Sequence, residues 1–177
     1  MSIQNAKGEQ TRIVLTGFMG VGKSSVARHL ASMLRTQRAD LDHYIERSTH
    51  RKIAQIIDTD GLERYRAIET EHLIRLLAES DAQIISLGGG TWTVEQNRAH
   101  IRSCGLTSIW LESTFDHCWQ NIRNSRKDRP LARDKAAALE LFESRQGVYC
   151  LADWHFIIRP EFNSYEIAEQ IREQIFG

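Results

Sequence analysis

The stretch GFMGVGKS at residues 17–24 fits the pattern G-x-x-x-x-G-K-[S/T] with no mismatch. That pattern is meaningful only with a strand before it and a helix after it. Both are present. Residues 11–16 (TRIVLT) are a short β-branched apolar run, and residues 24–34 place Val26, Ala27, Leu30, Ala31 and Leu34 at helical spacing. The glycines let backbone N–H groups turn inward into a concave anion nest. The helix that starts near Gly22 adds its positive end. In such a loop Lys23 reaches the β- and γ-phosphates of a nucleoside triphosphate, and the Ser24 hydroxyl ligates Mg²⁺.

The remaining pattern alternates strands with helices. Extended segments are expected over 37–40, 83–87, 106–111 and 154–158, and helices over 41–48, 52–59, 62–78, 95–103, 114–124, 136–151 and 165–176. Right-handed crossovers then give an α/β fold with five parallel strands and helices on both faces. Ligands in such sheets bind beyond the carboxyl ends of the strands. That rule gathers residues 17–24, Asp40, 88–90 and the segment after Leu111 on one rim. Residues 125–135 (SRKDRPLARDK) are charged, hold one of the two prolines and read as a mobile loop.

The length of 177 residues suits a single domain with a sizeable core. Residues 1–10 are polar and read as a flexible tail. The 23 basic residues, 18 of them Arg, balance 23 acidic ones, so no global field favours nucleic acid or a membrane surface. No run approaches the roughly 18–20 apolar residues of a membrane span, and the N-terminal residues lack a signal-peptide core. Cys104, Cys118 and Cys150 form no CxxC pair, which suits free thiols in a reducing cytoplasm. A cytoplasmic monomer is expected.

An N-K-x-D guanine-reading loop is absent, and the strand over 83–87 ends in SLGGG where a larger ATPase has an acidic residue. Both absences favour a small-molecule kinase. Asp40 and Asp42 form a D-x-D after the second strand. At alternating positions of an extended segment they point the same way, one toward Mg²⁺ or its waters and one toward an alcohol nucleophile. Arg66, three residues before Glu69 on a helix, meets it on one face and could clamp a carboxylate. Arg129, beside Pro130 and near Arg123, Arg126, Lys127 and Arg133, could close over the phosphates. Arg145 could face the cleft from the next helix. Each has an ordinary alternative: solvated loop aspartates, a surface ion pair, a basic loop and a helix-surface arginine. The three glycines of ISLGGGTW (85–92) read either as a loose turn or as a floor where something sits against bare backbone.

The ordered set resembles the shikimate kinase family: GFMGVGKSS at 17–25, DLD at 40–42, GLERYRAIE at 61–69, SLGGGTW at 86–92, DRPLA at 128–132, and Arg145-x-x-x-Tyr149 followed by Ala152-Asp153. The match runs from residue 11 to about 158. The resemblance implies a nucleoside-monophosphate-kinase-like fold with strand order 2-3-1-4-5, a substrate-binding region over about 41–80 and a lid over about 124–136. It implies transfer of the ATP γ-phosphate to the 3-hydroxyl of shikimate, with Mg²⁺. Gly17, Gly20, Val21, Gly22, Lys23, Ser24 and Ser25 would hold ATP, with Arg129 as the lid arginine and Arg123 against adenine. Asp42 would be the candidate base and bind the shikimate hydroxyls. Arg66 and Arg145 would grip its carboxylate, and Gly88, Gly89 and Gly90 would meet the ring. Ser24 would be the direct metal ligand, with Asp40 nearby.

There are departures from the family pattern. Tyr65 replaces the usual Phe, its hydroxyl expected at a wet pocket edge. Leu62 stands where Glu is frequent, RPLA replaces RPLL, and Ser25 replaces Thr. The rival readings are a kinase of another polyol acid such as gluconate, and a nucleotide-binding module without turnover. The latter has no need of Lys23, Asp40, Asp42 and Arg129 together.

Overall fold

Apolar runs become strands where both faces are covered. In the computed structural model, which describes residues 11–177, all four residues of β1 (Ile13–Thr16) are buried, as are the three of β3 (Ile84–Ser86). Strands buried on both faces read as continuous apolar runs, which is the mark of a parallel sheet. The sheet has five strands in the order β2-β3-β1-β4-β5, with β2 at Arg38–Asp40, β4 at Thr107–Glu112 and β5 at Trp154–Ile157. Every neighbouring pair is parallel. The fold class and strand order expected above are those found. The tail proposed for residues 1–10 lies outside the described residues.

Among the described residues, eight α-helices connect and cover the strands: α1 (Lys23–Leu34), α2 (Leu41–Thr49), α3 (Ile53–Asp60), α4 (Leu62–Glu79), α5 (Glu95–Ser103), α6 (Phe115–Asn124), α7 (Lys135–Tyr149) and α8 (Ser164–Ile171). The expected last helix is shorter, because Arg172–Phe176 winds into a π-helical end. Two short 3₁₀ turns were not foreseen, Thr91–Thr93 after the glycines and Pro130–Ala132 in the charged segment.

Polar side chains fix the strand ends. Asp153, at the entry to β5, accepts from the Ser108 backbone N–H (2.8 Å) and hydroxyl (2.6 Å) on β4. Arg12 donates to the carbonyls of Ser80 and Ala82 and ties the entry of β1 to the end of α4. Trp92 is fully buried, and its indole N–H donates to the Val148 carbonyl, locking the glycine turn onto α7. The carboxyl ends of β1, β2 and β3 therefore open on one rim beside α7.

Candidate active site

The loop between β1 and α1 is shaped by close approach. Gly17 and Gly20 have φ of 138° and 83°, a left-handed region that side chains rarely adopt. A Cβ on Gly17 would stand 2.6 Å from the Leu111 carbonyl oxygen, and one on Gly20 2.5 Å from that of Cys118. Gly22 caps α1 with φ 104°. Lys23 is buried and donates to the carbonyls of Gly17 (2.7 Å) and Phe18 (3.0 Å). Burial pushes its pKa down to about 8, with Asp42 and Asp40 pulling upward and Arg129 downward. The ammonium rests on the loop's own carbonyls, above the nest a phosphate would fill.

The D-x-D geometry differs from the expected extended alternation. Asp40 ends β2 and caps α2, accepting from the His43 N–H at 3.1 Å, while Asp42 already lies in the first turn of α2. The helix starts at once after the strand, so the two-residue period does not cross the junction. Asp40 Oδ2 accepts from Ser24 Oγ (2.6 Å) and Ser86 Oγ (2.8 Å). Burial opposes its charge, but these bonds, that of His43 and the Lys127 ammonium outweigh it and hold its pKa below the usual aspartate value. Asp42 Oδ2 pairs with Lys127 Nζ at 2.8 Å.

Arg66 donates to Glu69 at 2.6 Å, as their spacing on α4 predicts. Glu69 is fully buried, and its other oxygen accepts from Thr91 Oγ1 (2.7 Å) and Tyr65 OH (3.3 Å). The expectation for Tyr65 is corrected here. It is only 4% exposed, not at a wet edge, and its hydroxyl serves a buried carboxylate. Burial, with Glu69 and Asp42 close by, raises its pKa. Arg145 is 6% exposed, and its Nη1 has no hydrogen-bond partner in the protein. Burial lowers its pKa; Tyr149 opposes that shift and Arg66 adds to it. Tyr149 OH donates to the Gly89 carbonyl.

The glycines are seats for these charged groups. A Cβ on Gly88 would stand 2.9 Å from both Asp42 Oδ1 and Glu69 Oε1. One on Gly89 would stand 3.2 Å from Met19 N and 3.5 Å from Arg145 Nη1, and one on Gly90 would fall inside the Arg66 guanidinium. The turn was expected to clear space for a ligand ring; it clears space first for the side chains around that ring.

These groups line one cleft of about 1720 Å³. That exceeds the roughly 300–1,000 Å³ of a site for one drug-sized ligand. Gly20 through Ser25, Asp40, Asp42, Arg66, Gly88 through Gly90, Arg129 and Arg145 all border it. Gly17 acts from beneath the loop and does not line the cleft, and Arg123 is exposed at the end of α6, outside the lining. Arg126 and Lys127 border the cleft instead. Arg129 is partly buried with its Nη1 unpartnered, and burial lowers its pKa against the pull of Asp42. Arg133 bridges Asp128 and, through two bonds of 3.0 and 2.8 Å, Asp58 on α3. Sequence reasoning saw Glu69 only as a partner of Arg66 and gave no role to Thr91 or Tyr149. Glu69 lies four residues beyond Tyr65 on the same helical face, a signal that was available.

The family model described as Shikimate kinase matches residues 19–176. The chain belongs to the shikimate kinase family. A shikimate kinase of Rhizobium meliloti is 38% identical over 144 residues, covering 80% of this chain and 73% of that protein. One from Rhizobium leguminosarum bv. trifolii is 34% identical over 167 residues, 91% of this chain and 84% of the relative. The structure of the shikimate kinase from Acinetobacter baumannii in complex with shikimate superposes with a TM-score of 0.86 at 29% identity, covering 95% of this chain and 94% of that one. Shikimate kinases transfer a phosphoryl group from ATP to a shikimate hydroxyl. Against the phenylalanine usual in shikimate kinases, Tyr65 adds one donor to the buried Glu69.

Proposed function

We propose that the cleft transfers the γ-phosphoryl group of ATP to the 3-hydroxyl of shikimate, with the loop and Arg129 facing ATP and Asp42, Arg66 and Arg145 facing shikimate. The observation that carries this division is the pair of arginines. Arg66 is near enough to Arg145 to help lower that guanidinium's pKa, and Arg145 Nη1 is buried without a partner. A buried unpartnered donor of a charged group is costly, and a planar carboxylate supplies two parallel acceptors. The substrate's carboxylate meets that need, and the glycine turn leaves its ring in contact with backbone.

Asp42 orients the acceptor hydroxyl and takes its proton as the hydroxyl oxygen attacks the γ-phosphorus and the bond to ADP breaks. Lys23 and Arg129 offset the charge that spreads over the transferring group. Mg²⁺ fits the donor set: Ser24 Oγ and Asp40 Oδ2 are hard oxygen donors 2.6 Å apart. Among the described residues no group of three or more His, Cys, Asp or Glu could hold a metal. That suits Mg²⁺, which takes one or two protein oxygens and leaves the rest to phosphates and water. When bound it neutralises phosphate charge. Residues 124–136 act as the lid and 41–80 as the acceptor-binding region. No described helix is long and apolar enough to cross a membrane. The free thiols Cys104, Cys118 and Cys150 support a reducing cytoplasm, where we place the enzyme as a monomer.

The test is coupled ADP release with shikimate, quinate, gluconate and nucleoside monophosphates. Shikimate alone should give strong turnover. Gluconate turnover equal to that with shikimate would overturn the choice of shikimate, and equal turnover of a nucleoside monophosphate, which has no carboxylate, would overturn the assignment of the arginine pair.

A further inference from the structure

The two carboxylate oxygens of Asp42 have different surroundings. Oδ1 faces the glycine floor, 2.9 Å from where a Cβ on Gly88 would stand. Oδ2 is held by Lys127 Nζ at 2.8 Å, across 85 positions of sequence. Lys127 lies between α6 and α7, two residues before Arg129, whose Nη1 has no partner and which is proposed above to face ATP. Two further carboxylates feel the same ammonium, Asp40 and Glu46. Glu46 is paired with Lys52 at 2.9 Å and Asp40 with two serine hydroxyls, which leaves Asp42 as the carboxylate that Lys127 grips.

We propose that Lys127 is a positioning residue for phosphoryl transfer: its ammonium holds Asp42 Oδ2 and so turns Oδ1 toward the acceptor hydroxyl above the glycine floor. The inference rests on the reading of Asp42 as the group that orients that hydroxyl. Both groups are partly exposed, with side chains 45% and 26% accessible, so the pair adds little to stability. Its value is geometric. A carboxylate on a short side chain rotates freely unless one oxygen is tied, and misplacing a reacting group by about 1 Å costs on the order of 100-fold in rate. The same segment carries Arg129. Closing it therefore places the phosphate-facing arginine and fixes the acceptor-side carboxylate in one movement, so neither half is organised without the other.

The experiment compares Lys127→Met, Lys127→Arg, Asp42→Asn and the double variant Lys127→Met/Asp42→Asn in steady-state kinetics. Lys127→Met should lower kcat by roughly tenfold or more while both KM values move less than about threefold, which is the signature of an interaction made in the transition state. Lys127→Arg should recover most of the loss. In the Asp42→Asn background, Lys127→Met should have no further effect. Unchanged thermal unfolding of Lys127→Met shows that the fold is intact. If Lys127→Met keeps full kcat while Asp42→Asn is inactive, the positioning role fails and the Asp42 reading stands. A Lys127→Met variant with a lowered shikimate KM and undiminished kcat marks a resting-state plug, which also overturns it. Full activity in Asp42→Asn removes the Asp42 reading and this inference together.

Discussion

Replacing Gly90 with alanine tests the carboxylate clamp proposed for Arg66. Gly90 has φ −105°, which any residue adopts, so the backbone accepts a methyl group. The backbone also stays in place, because the Gly90 carbonyl accepts from both the N–H and the hydroxyl of Thr93. The collision falls on Arg66. The new Cβ would lie 2.5 Å from Nη1, and nearer still to Nη2 and Cζ, where ordinary contact begins at 3.4 Å. The guanidinium must retreat by about an ångström, and its side chain, 22% accessible, has solvent to retreat into. Stability should fall, because Glu69 is fully buried and Arg66 is its cationic partner. The 2.6 Å bond to Glu69 is broken or bent, and the grip on the substrate carboxylate goes with it. A charge-assisted bond contributes about 1.5–3 kcal/mol, so kcat/KM for shikimate should fall roughly 10- to 150-fold. The assay is coupled ADP release with shikimate varied at saturating ATP, then ATP varied, beside a thermal melt. A shikimate KM within about twofold of the parent, or an equal rise in the ATP KM, would refute Arg66 as the carboxylate clamp. Gly89→Ala is a poorer test, because its Cβ also presses on Met19 N in the phosphate loop.

Two further expectations follow from buried groups. Lys23 sits at a pKa of about 8 in the free protein because it is buried, and bound phosphate stabilises its ammonium. Above that pH the complex holds more protons than the free protein, so ATP binding takes up a proton and weakens by up to about tenfold per pH unit. Calorimetry near the alkaline side of that value, in two buffers of different ionisation heat, measures the uptake; proton release on binding would contradict the assignment. Tyr65→Phe removes the 3.3 Å bond to Glu69 but leaves Glu69 with Arg66 and Thr91. Losing a long neutral-donor bond of about 0.5–1 kcal/mol should lower Tm by about 1–4 °C, and a raised Tm would show that the hydroxyl is not serving that carboxylate.

The parts of the fold legible in the sequence are those governed by one dominant local force. β1, β3 and the middle of β4 announce themselves because strands buried on both faces carry runs of apolar residues. The phosphate loop is legible because its glycines, lysine and serine do one job within eight residues. Legibility fails where two local rules meet or where contacts are long-range. At Asp40-Leu41-Asp42 a strand becomes a helix without an intervening residue, so the rule for strands was carried one residue too far. Tyr65 was misplaced because a hydroxyl suggests water, whereas its position four residues before Glu69 puts it on the buried face of α4. The grip of Lys127 on Asp42 has no local signature, since nothing within either segment encodes a partner 85 positions away.

The glycine turn shows why a short motif can be specific without carrying a single reactive atom. Each of its three positions excludes a Cβ for a different reason: Gly88 for Asp42 and Glu69, Gly89 for Arg145 and the phosphate loop, Gly90 for Arg66. Two anionic groups and two cationic ones therefore converge on a few ångströms of bare backbone. Like charges this close repel unless opposite charges alternate with them, and here they do, with Glu69 beside Arg66 and Lys127 beside Asp42. Arg145 is the member left over, buried and with one donor unpaired. Around the glycine turn these pairs offset one another and leave Arg145 over, while Arg129 is a second guanidinium with an unpartnered donor, on the Asp42 side of the cleft. On the proposed reading of Arg66 and Arg145 as a carboxylate clamp, an acceptor lacking a carboxylate would leave the Arg145 donor unpaired and should be phosphorylated far more slowly than an acid.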